Sequence, residues 1–383
     1  MTAFDFHPQT RIVFGCDRID ELGSLACELN ARRTLLVSDP GIVAAGHTAR
    51  AIDALNKSGI ETCLFDGVAE NPTTAHVDAG LSAARDFRPD LIVGLGGGSS
   101  MDCAKGINFL YSCGGCMQDY WGVGKATGPL LPMIAVPTTA GTGSETQSFA
   151  LISDAATHVK MACGDRRASF RVALLDPKLT MTQPDRVTAL TGIDAIAHAV
   201  ETYVTRLRNP VSLAFSREAW QLLAENFGQV LDDPHDLEAR SAVQLGACFA
   251  GLAIENSMLG AAHALSNPLT AQNQIAHGQA VALMLPYVIR FNGQQHDAWY
   301  RDLLECTVAR EGLPAPESGA IGLAAFITTM VQRAGLASCL SDCGIERRQL
   351  PRLAEDAAKQ WTGTFNPRPV DEASLLELYE KAF

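Results

Sequence analysis

Between Arg33 and Pro177, short β-branched and apolar runs alternate with helical stretches, and this alternation restricts the fold more than any other feature of the chain. RTLLVSD (Arg33 to Asp39), ETCLF (Glu61 to Phe65), DLIVGLGGG, MIAVPTT (Met133 to Thr139) and VALLDP (Val172 to Pro177) read as strands. The stretch from Thr48 to Ser58 and the run VDAGLSAARDF read as helices between them. Strands and helices joined in turn by short connections require a parallel sheet covered by helices. From about Thr182 the character changes. TGIDAIAHAVETYVT, SLAFSREAWQLLAENFGQVL, LEARSAVQLGACFAGLAIEN and the stretches from Leu303 onward are helical in period, and strand signals become scarce. The expected organisation is an α/β domain over residues 1–183 and an all-α domain over residues 184–383, with any active site in the cleft between them.

A chain of 383 residues with 47% hydrophobic and 19% charged residues is globular and long enough for two or three cores. Its net charge of −12 disfavours nucleic acid and anionic membrane as partners. The N-terminus shows no charged region followed by an apolar one, and no apolar run reaches the length of a membrane span. Eleven cysteines, odd in number and scattered through core-like segments such as those of Cys103, Cys163 and Cys248, fit reduced thiols. The lone pair Cys113 and Cys116 has no second pair to complete a zinc site. The chain therefore reads as cytoplasmic.

Asp194 and His198 stand four apart in TGIDAIAHAVE, so a helix projects both from one face. His263 and His277 fall in a second segment whose neighbours are mostly small or apolar. One carboxylate and three imidazoles form a reasonable ligand set for a borderline divalent metal such as Fe(II) or Zn(II). Taken singly, each histidine is more often a satisfied core residue, and His277 before Gly278 also suits a helix start. Asp194 is the odd member, because short acids favour caps and turns over helix interiors. His7, His47, His76, His158, His235 and His296 lie in polar or loop contexts and read as surface residues.

Gly94, Gly96, Gly97 and Gly98 follow an apolar strand directly, with Ser99 and Ser100 opening the next helix. Glycines let backbone amides approach an anion, and a helix N-terminus adds partial positive charge, so a pyrophosphate is the natural guest. The spacing is not the standard dinucleotide fingerprint, and a tight strand-to-helix turn explains it equally well. PTTAGTGSE (Pro137 to Glu145) repeats the combination of glycines and hydroxyls after another strand, as a second wall of one cradle. Asp39 ends the first strong strand, where a carboxylate accepts from ribose hydroxyls and repels a 2′-phosphate, favouring NAD over NADP. In SDPG it also reads as an ordinary turn residue. Asp102 and Glu145 either orient the glycine-rich loops or cap helices.

Together, GGGSSMDCAK, PTTAGTGSE, TGIDAIAHAVE, the AAHALSNPL and AHGQAVALMLP segments, and NPR (Asn366 to Arg368) resemble the iron-containing (group III) alcohol dehydrogenases. The motifs run in family order along nearly the whole chain. The resemblance implies a Rossmann-like N-terminal domain plus a helical C-terminal domain, the dehydroquinate synthase-like architecture. It implies Asp194, His198, His263 and His277 as metal ligands, for iron and in some members zinc, and Gly97, Gly98 and Ser99 at the pyrophosphate. Thr138 and Thr139 would line the cofactor cleft, with Phe149 and Lys160 further along the same wall. Asp39 would sit at the adenine ribose and Asn71 near the cofactor. A homodimer or larger assembly is implied as well, with the extended stretch from about Phe4 to Phe14 pairing across subunits.

The implied reaction is NAD-dependent interconversion of a small alcohol and its aldehyde or ketone, with the metal polarising the substrate oxygen. One departure stands out. Four residues after His263, where much of the family carries a proton-relaying histidine, this chain has Asn267, which cannot take up a proton at neutral pH. Tyr287 is a second departure from a common histidine and reads as a packed tyrosine. Two alternatives share the architecture. A metal-free enzyme resembling the maleylacetate reductases would be expected to have lost Asp194. A lyase resembling the dehydroquinate synthases would need several Lys or Arg near the metal ligands, where only Arg206 and Arg208 come close in sequence.

Overall fold

The computed structural model describes residues 3–311 and 318–383. They form two compact units, residues 7–183 and residues 184–383, the N-terminal residues up to Phe6 clustering with the second.

The first unit is built on a six-stranded parallel sheet of order β1-β9-β6-β4-β2-β3. Its strands are β1 (Arg11–Phe14), β2 (Arg33–Val37), β3 (Glu61–Phe65), β4 (Leu91–Gly96), β6 (Met133–Pro137) and β9 (Val172–Leu175). Its helices are α1 (Leu22–Glu28), α2 (Pro40–Ala44), α3 (His47–Lys57), α4 (Thr74–Phe87), α5 (Gly98–Cys113) and α6 (Pro177–Thr180). Successive residues of a strand point to opposite faces. Leu35, Ile92, Met133 and Ala135 therefore pack with Val77, Met101 and Ile107 of α4 and α5. Leu36, Val93, Ile134 and Val136 pack on the other face with Leu22, Leu25, Ala51 and Leu55 of α1 and α3. Both faces are covered, so the central strands read as continuous apolar runs rather than alternating ones. Full burial of Ile92, Val93 and Leu95 contributes about 1.5–3 kcal/mol each.

A second sheet, of order β5-β8-β7, is formed by β5 (Gly122–Val123), β7 (Phe149–Ser153) and β8 (Lys160–Gly164). The sequence pattern did not announce it. Its strands are short, β7 and β8 are only half buried, and their antiparallel pairing depends on register.

The second unit is helical: α7 (Asp185–Val204), α8 (Pro210–Asp232), α9 (Leu237–Glu255), α10 (Ala261–Asn273), α11 (His277–Glu311), α12 (Gly319–Arg333), α13 (Leu350–Ala358) and α14 (Glu372–Ala382). Helix α11 is broken at His296, whose backbone leaves the helical region (φ −130°, ψ 33°). A 3-10 turn over Trp361–Phe365 packs on α10. Among the described residues, no helix is long and apolar enough to cross a membrane. All eleven cysteines are free thiols, with Cys103, Cys163 and Cys248 buried. His47 departs from the surface assignment: it is buried, and its Nε2 lies 2.7 Å from Thr182 Oγ1, because α3 turns that face inward.

Candidate functional site

The helical unit gathers the four candidate metal ligands. Asp194 and His198 stand one turn apart on α7, His263 lies in the first turn of α10, and His277 opens α11. Two glycines allow the helices to come this close. A Cβ on Gly278 would fall 2.2 Å from the Leu190 carbonyl oxygen, so its absence lets the start of α11 abut the α7 backbone one turn before Asp194. A Cβ on Gly192 would fall 2.1 Å from the Phe227 ring, which seats α7 against α8.

One oxygen organises the cluster. Asp194 Oδ1 lies 3.4 Å from His198 Nε2, 3.4 Å from His263 Nε2 and 3.6 Å from His277 Nε2. Asp194, His263 and His277 offer ligand atoms that all lie within 4.8 Å of one another, and His198 joins that trio through Asp194. The His198 and His263 rings stack at 4.9 Å. Asp194, His198 and His263 are at most 5% exposed, whereas the His277 side chain is 27% exposed and gives the cluster its open side.

Asp194 Oδ1 and His263 Nε2 are buried and meet no hydrogen-bond geometry. Polar atoms left this way are uncommon in folded interiors and call for an explanation. A cation among them supplies one, and the hard carboxylate with imidazole donors suits Fe(II) or Zn(II). Burial alone would raise the Asp194 carboxyl, but His198, His277 and His263 outweigh it and hold it well below the ordinary carboxylate range. Burial depresses His263, yet Glu201 and Asp194 overcome that and push it up to about 9.

Glu201 went unnoticed in the sequence. Its Oε2 lies 2.5 Å from His263 Nδ1, and it is 3% exposed. The signal was available: residues 194, 198 and 201 are spaced i, i+4, i+7 and share a helix face.

Asn267, one turn beyond His263, donates through Nδ2 to Gln360 Oε1 at 3.0 Å, so its amide is tied to the segment preceding the 3-10 turn. Tyr287 is half-buried beneath Arg290. Arg208 stacks on Trp299 at 4.1 Å and near Tyr203 at 5.1 Å, and Arg206 is exposed.

The α/β unit gathers most of the cofactor candidates. Strand β2 leads through α3, on one face, to β3, while β4 leads through α5, on the other face, toward β6. The chain direction thus reverses between β2 and β4, and ligands of open α/β sheets bind in the crevice at such a point. Asp39 follows β2, Gly97, Gly98 and Ser99 follow β4, and Thr138 and Thr139 follow β6. The loops after β4 and β6 touch. A Cβ on Gly97 would lie 3.3 Å from Thr139 Cγ2, and one on Gly98 would lie 2.8 Å from Thr142 Cγ2 and Oγ1. Gly96 adopts φ +147°, open mainly to glycine. The Thr138 hydroxyl is likewise buried without a hydrogen-bond partner, a further atom that a ligand would satisfy.

Asp39 already performs one local task. Its Oδ1 caps α2, accepting from the Gly41 and Ile42 amides at 2.9 and 3.1 Å, and Ser100 Oγ lies 3.3 Å from Oδ2. Asn71 is exposed, with a left-handed backbone (φ 52°). Phe149 and Lys160 are not neighbours. Phe149 pairs with Gly164 and Lys160 with Ser153, at opposite ends of the β7–β8 ladder, about 13 Å apart along it. Sequence reading also passed over Lys105, which is fully buried and donates to the carbonyls of Ser144 (2.8 Å) and Phe149 (2.7 Å), fastening the loop after β6 to α5.

A family model described as iron-containing alcohol dehydrogenase matches residues 8–177, and one for the C-terminal part of the Fe-containing alcohol dehydrogenase family matches residues 188–383. The 1,3-propanediol dehydrogenase of Klebsiella pneumoniae is 34% identical over 99% of each chain. The NAD-dependent methanol dehydrogenase of Bacillus methanolicus is 30% identical over 100% of each. The crystal structure of a 1,3-propanediol oxidoreductase superposes with a TM-score of 0.95 at 33% identity, covering 100% of both chains.

Proposed function

The chain belongs to the iron-containing alcohol dehydrogenase family, and from that premise we propose that it interconverts a small, uncharged alcohol and its carbonyl product with NAD(H), using a divalent metal held by Asp194, His198, His263 and His277. It is an oxidoreductase. The observation that carries the metal assignment is the approach of three imidazole nitrogens to one buried Asp194 oxygen that has no hydrogen-bond partner.

A bound Fe(II), or Zn(II) as the alternative, would supply Lewis-acid polarisation of the substrate oxygen, and NAD would carry the hydride. The protein's own contributions are position and charge. Asp194 remains ionised and offers the one negative ligand. His277 lies on the open side, where substrate would enter. Gly97, Gly98 and Ser99 bring backbone amides to the pyrophosphate at the start of α5, and Thr138 and Thr139 form the facing wall. Asp39 would meet the adenine ribose, with Asn71, Phe149 and Lys160 as outer contacts. Asn267 holds a hydrogen bond at its position but moves no proton, so proton transfer uses water or another group. The small and apolar residues that flank His263 in the sequence (Ala261, Ala262, Leu265, Leu269) favour an uncharged substrate. We also take the enzyme to act in the cytoplasm as a homodimer or larger assembly, the first reading resting on its reduced thiols and the second on the family resemblance.

The alternatives fit less well. A metal-free reductase has no use for an intact Asp194 among three histidines. A lyase acting on a phosphorylated substrate needs cations at the cluster, and Arg208 is instead committed to Trp299 and Tyr203. The test is metal analysis of purified protein with NADH formation followed over short-chain alcohols and diols, before and after chelation. Turnover that survives complete removal of metal refutes the proposal.

A further inference from the structure

Helix α10 carries His263 in its first turn, yet it begins without a cap of its own. Its N-cap is Gly260, which has no side chain to accept from the first amides. Exposed amides at a buried helix start must find acceptors elsewhere. Two distant side chains provide them. Glu201 Oε1 accepts from the Ala262 amide at 2.7 Å, and Asn366 Oδ1 accepts from the Ala261 amide at 3.3 Å.

The same two residues reach further. The second oxygen of Glu201 takes the Nδ1 side of His263 at 2.5 Å. A carboxylate can only accept, so Nδ1 carries the proton and Nε2 is the nitrogen left to face Asp194, 3.4 Å away. Asn366 is locked by a reciprocal amide pair with Asn292 of α11, at 2.7 and 3.0 Å, and donates to the Arg368 carbonyl at 2.6 Å. Arg368 in turn donates to the Phe291 carbonyl at 2.9 Å and lies 3.7 Å over the Phe291 ring. Glu201, Asn292 and Asn366 are all at most 3% exposed.

We propose that Glu201 and Asn366 are positioning residues for the metal site: they anchor the uncapped start of α10, and Glu201 fixes His263 in the tautomer that presents Nε2 to the ion. The inference rests on the metal reading above. It assigns the NPR segment a task, joining α10 to α11 behind the ligands. It also explains Gly260, where a Cβ would lie 3.0 Å from both Asn366 Oδ1 and Glu201 Oε1 and would press the two acceptors apart. A carboxylate at a helix N-terminus is favoured by the helix dipole, and one that orients a ligating histidine raises its basicity.

The test is Glu201→Gln, which keeps the shape and an oxygen for the Ala262 amide but removes the charge facing His263. Zn(II) titration should show affinity about 10- to 100-fold weaker than wild type. In 15N-histidine-labelled protein, the downfield Nδ1–H resonance of His263 should move upfield. A residue that only capped α10 would alter thermal stability and leave both readouts unchanged. Should Glu201→Gln not fold, Gly260→Ala displaces both acceptors without deleting either, and the same two changes are expected in smaller degree. Unchanged affinity and an unchanged His263 resonance in the folded variant overturn the proposal. If the wild type itself binds no divalent metal, the metal reading falls, and the resonance measured on metal-free protein still decides the role of Glu201.

Discussion

Replacing Glu145 by Gln should make the protein more stable at mildly alkaline pH, and by progressively less as the pH falls toward 4.5. Glu145 lies in the loop after β6, 4% exposed. Burial pushes its carboxyl up to about 7, a backbone amide and Lys105 opposing it only in part. In an unfolded chain the group returns to the ordinary glutamate value of 4.5. Between these values the folded protein binds the proton more tightly than the unfolded chain does. Stability present below the unfolded value is therefore lost as pH rises through the folded one. The whole shift corresponds to about 3 kcal/mol, of which about 2 kcal/mol falls between roughly pH 5.5 and 8. Glutamine keeps the shape and removes the titration. The variant's melting temperature minus that of wild type should rise by about 4–8 °C across that interval for a unit of this size. Scanning calorimetry at the two pH values measures it, and taking the difference cancels every other titrating group. Equal differences at both pH values would show that Glu145 is not held in an environment that resists its charge.

Three further outcomes follow from the sites. Asp194→Asn should lower metal affinity by more than about 100-fold, exceeding the effect of any outer residue, and metal analysis after dialysis checks it. Gly98→Ala places a methyl 2.8 Å from Thr142. It should destabilise the α/β unit by about 1–3 kcal/mol and weaken NAD binding, and adding Thr142→Ala should restore both in melting and cofactor titrations. Asn267→His should add a limb near pH ~6.5 to the kcat profile, at the ordinary imidazole pKa, where the wild type has none from this position.

How much could be read in advance differed from element to element. Strands β2, β4, β6 and β9 were visible because burial on both faces leaves an apolar run in the sequence, and the partly buried edge strand β3 was visible from the short run TCLF. Strands β7 and β8 were not, because FALIS and KMACG are half buried and become strands only by pairing with each other. Asp194 betrayed itself as an acid in a helix interior with no local partner. Glu201 did not, since a glutamate in a helix is ordinarily a solvated residue, and its burial exists only because α10 begins beside it. Lys105 was hidden for the same reason: only the folded loop brings the carbonyls of Ser144 and Phe149 to its ammonium group.

Residue order alone determined the parallel α/β unit and the helical unit, because periodicity is a local property, and its motifs, taken together in family order, pointed to Asp194, His198, His263 and His277 as candidate donors. Tertiary structure decided which oxygen of Asp194 the imidazoles converge on, which nitrogen of His263 is held by Glu201, and that Phe149 and Lys160 stand at opposite ends of a ladder. The helix contacts join residues 62 and 105 positions apart, beyond the reach of any local pattern, and the strand ends are set only by the register in which β7 and β8 pair.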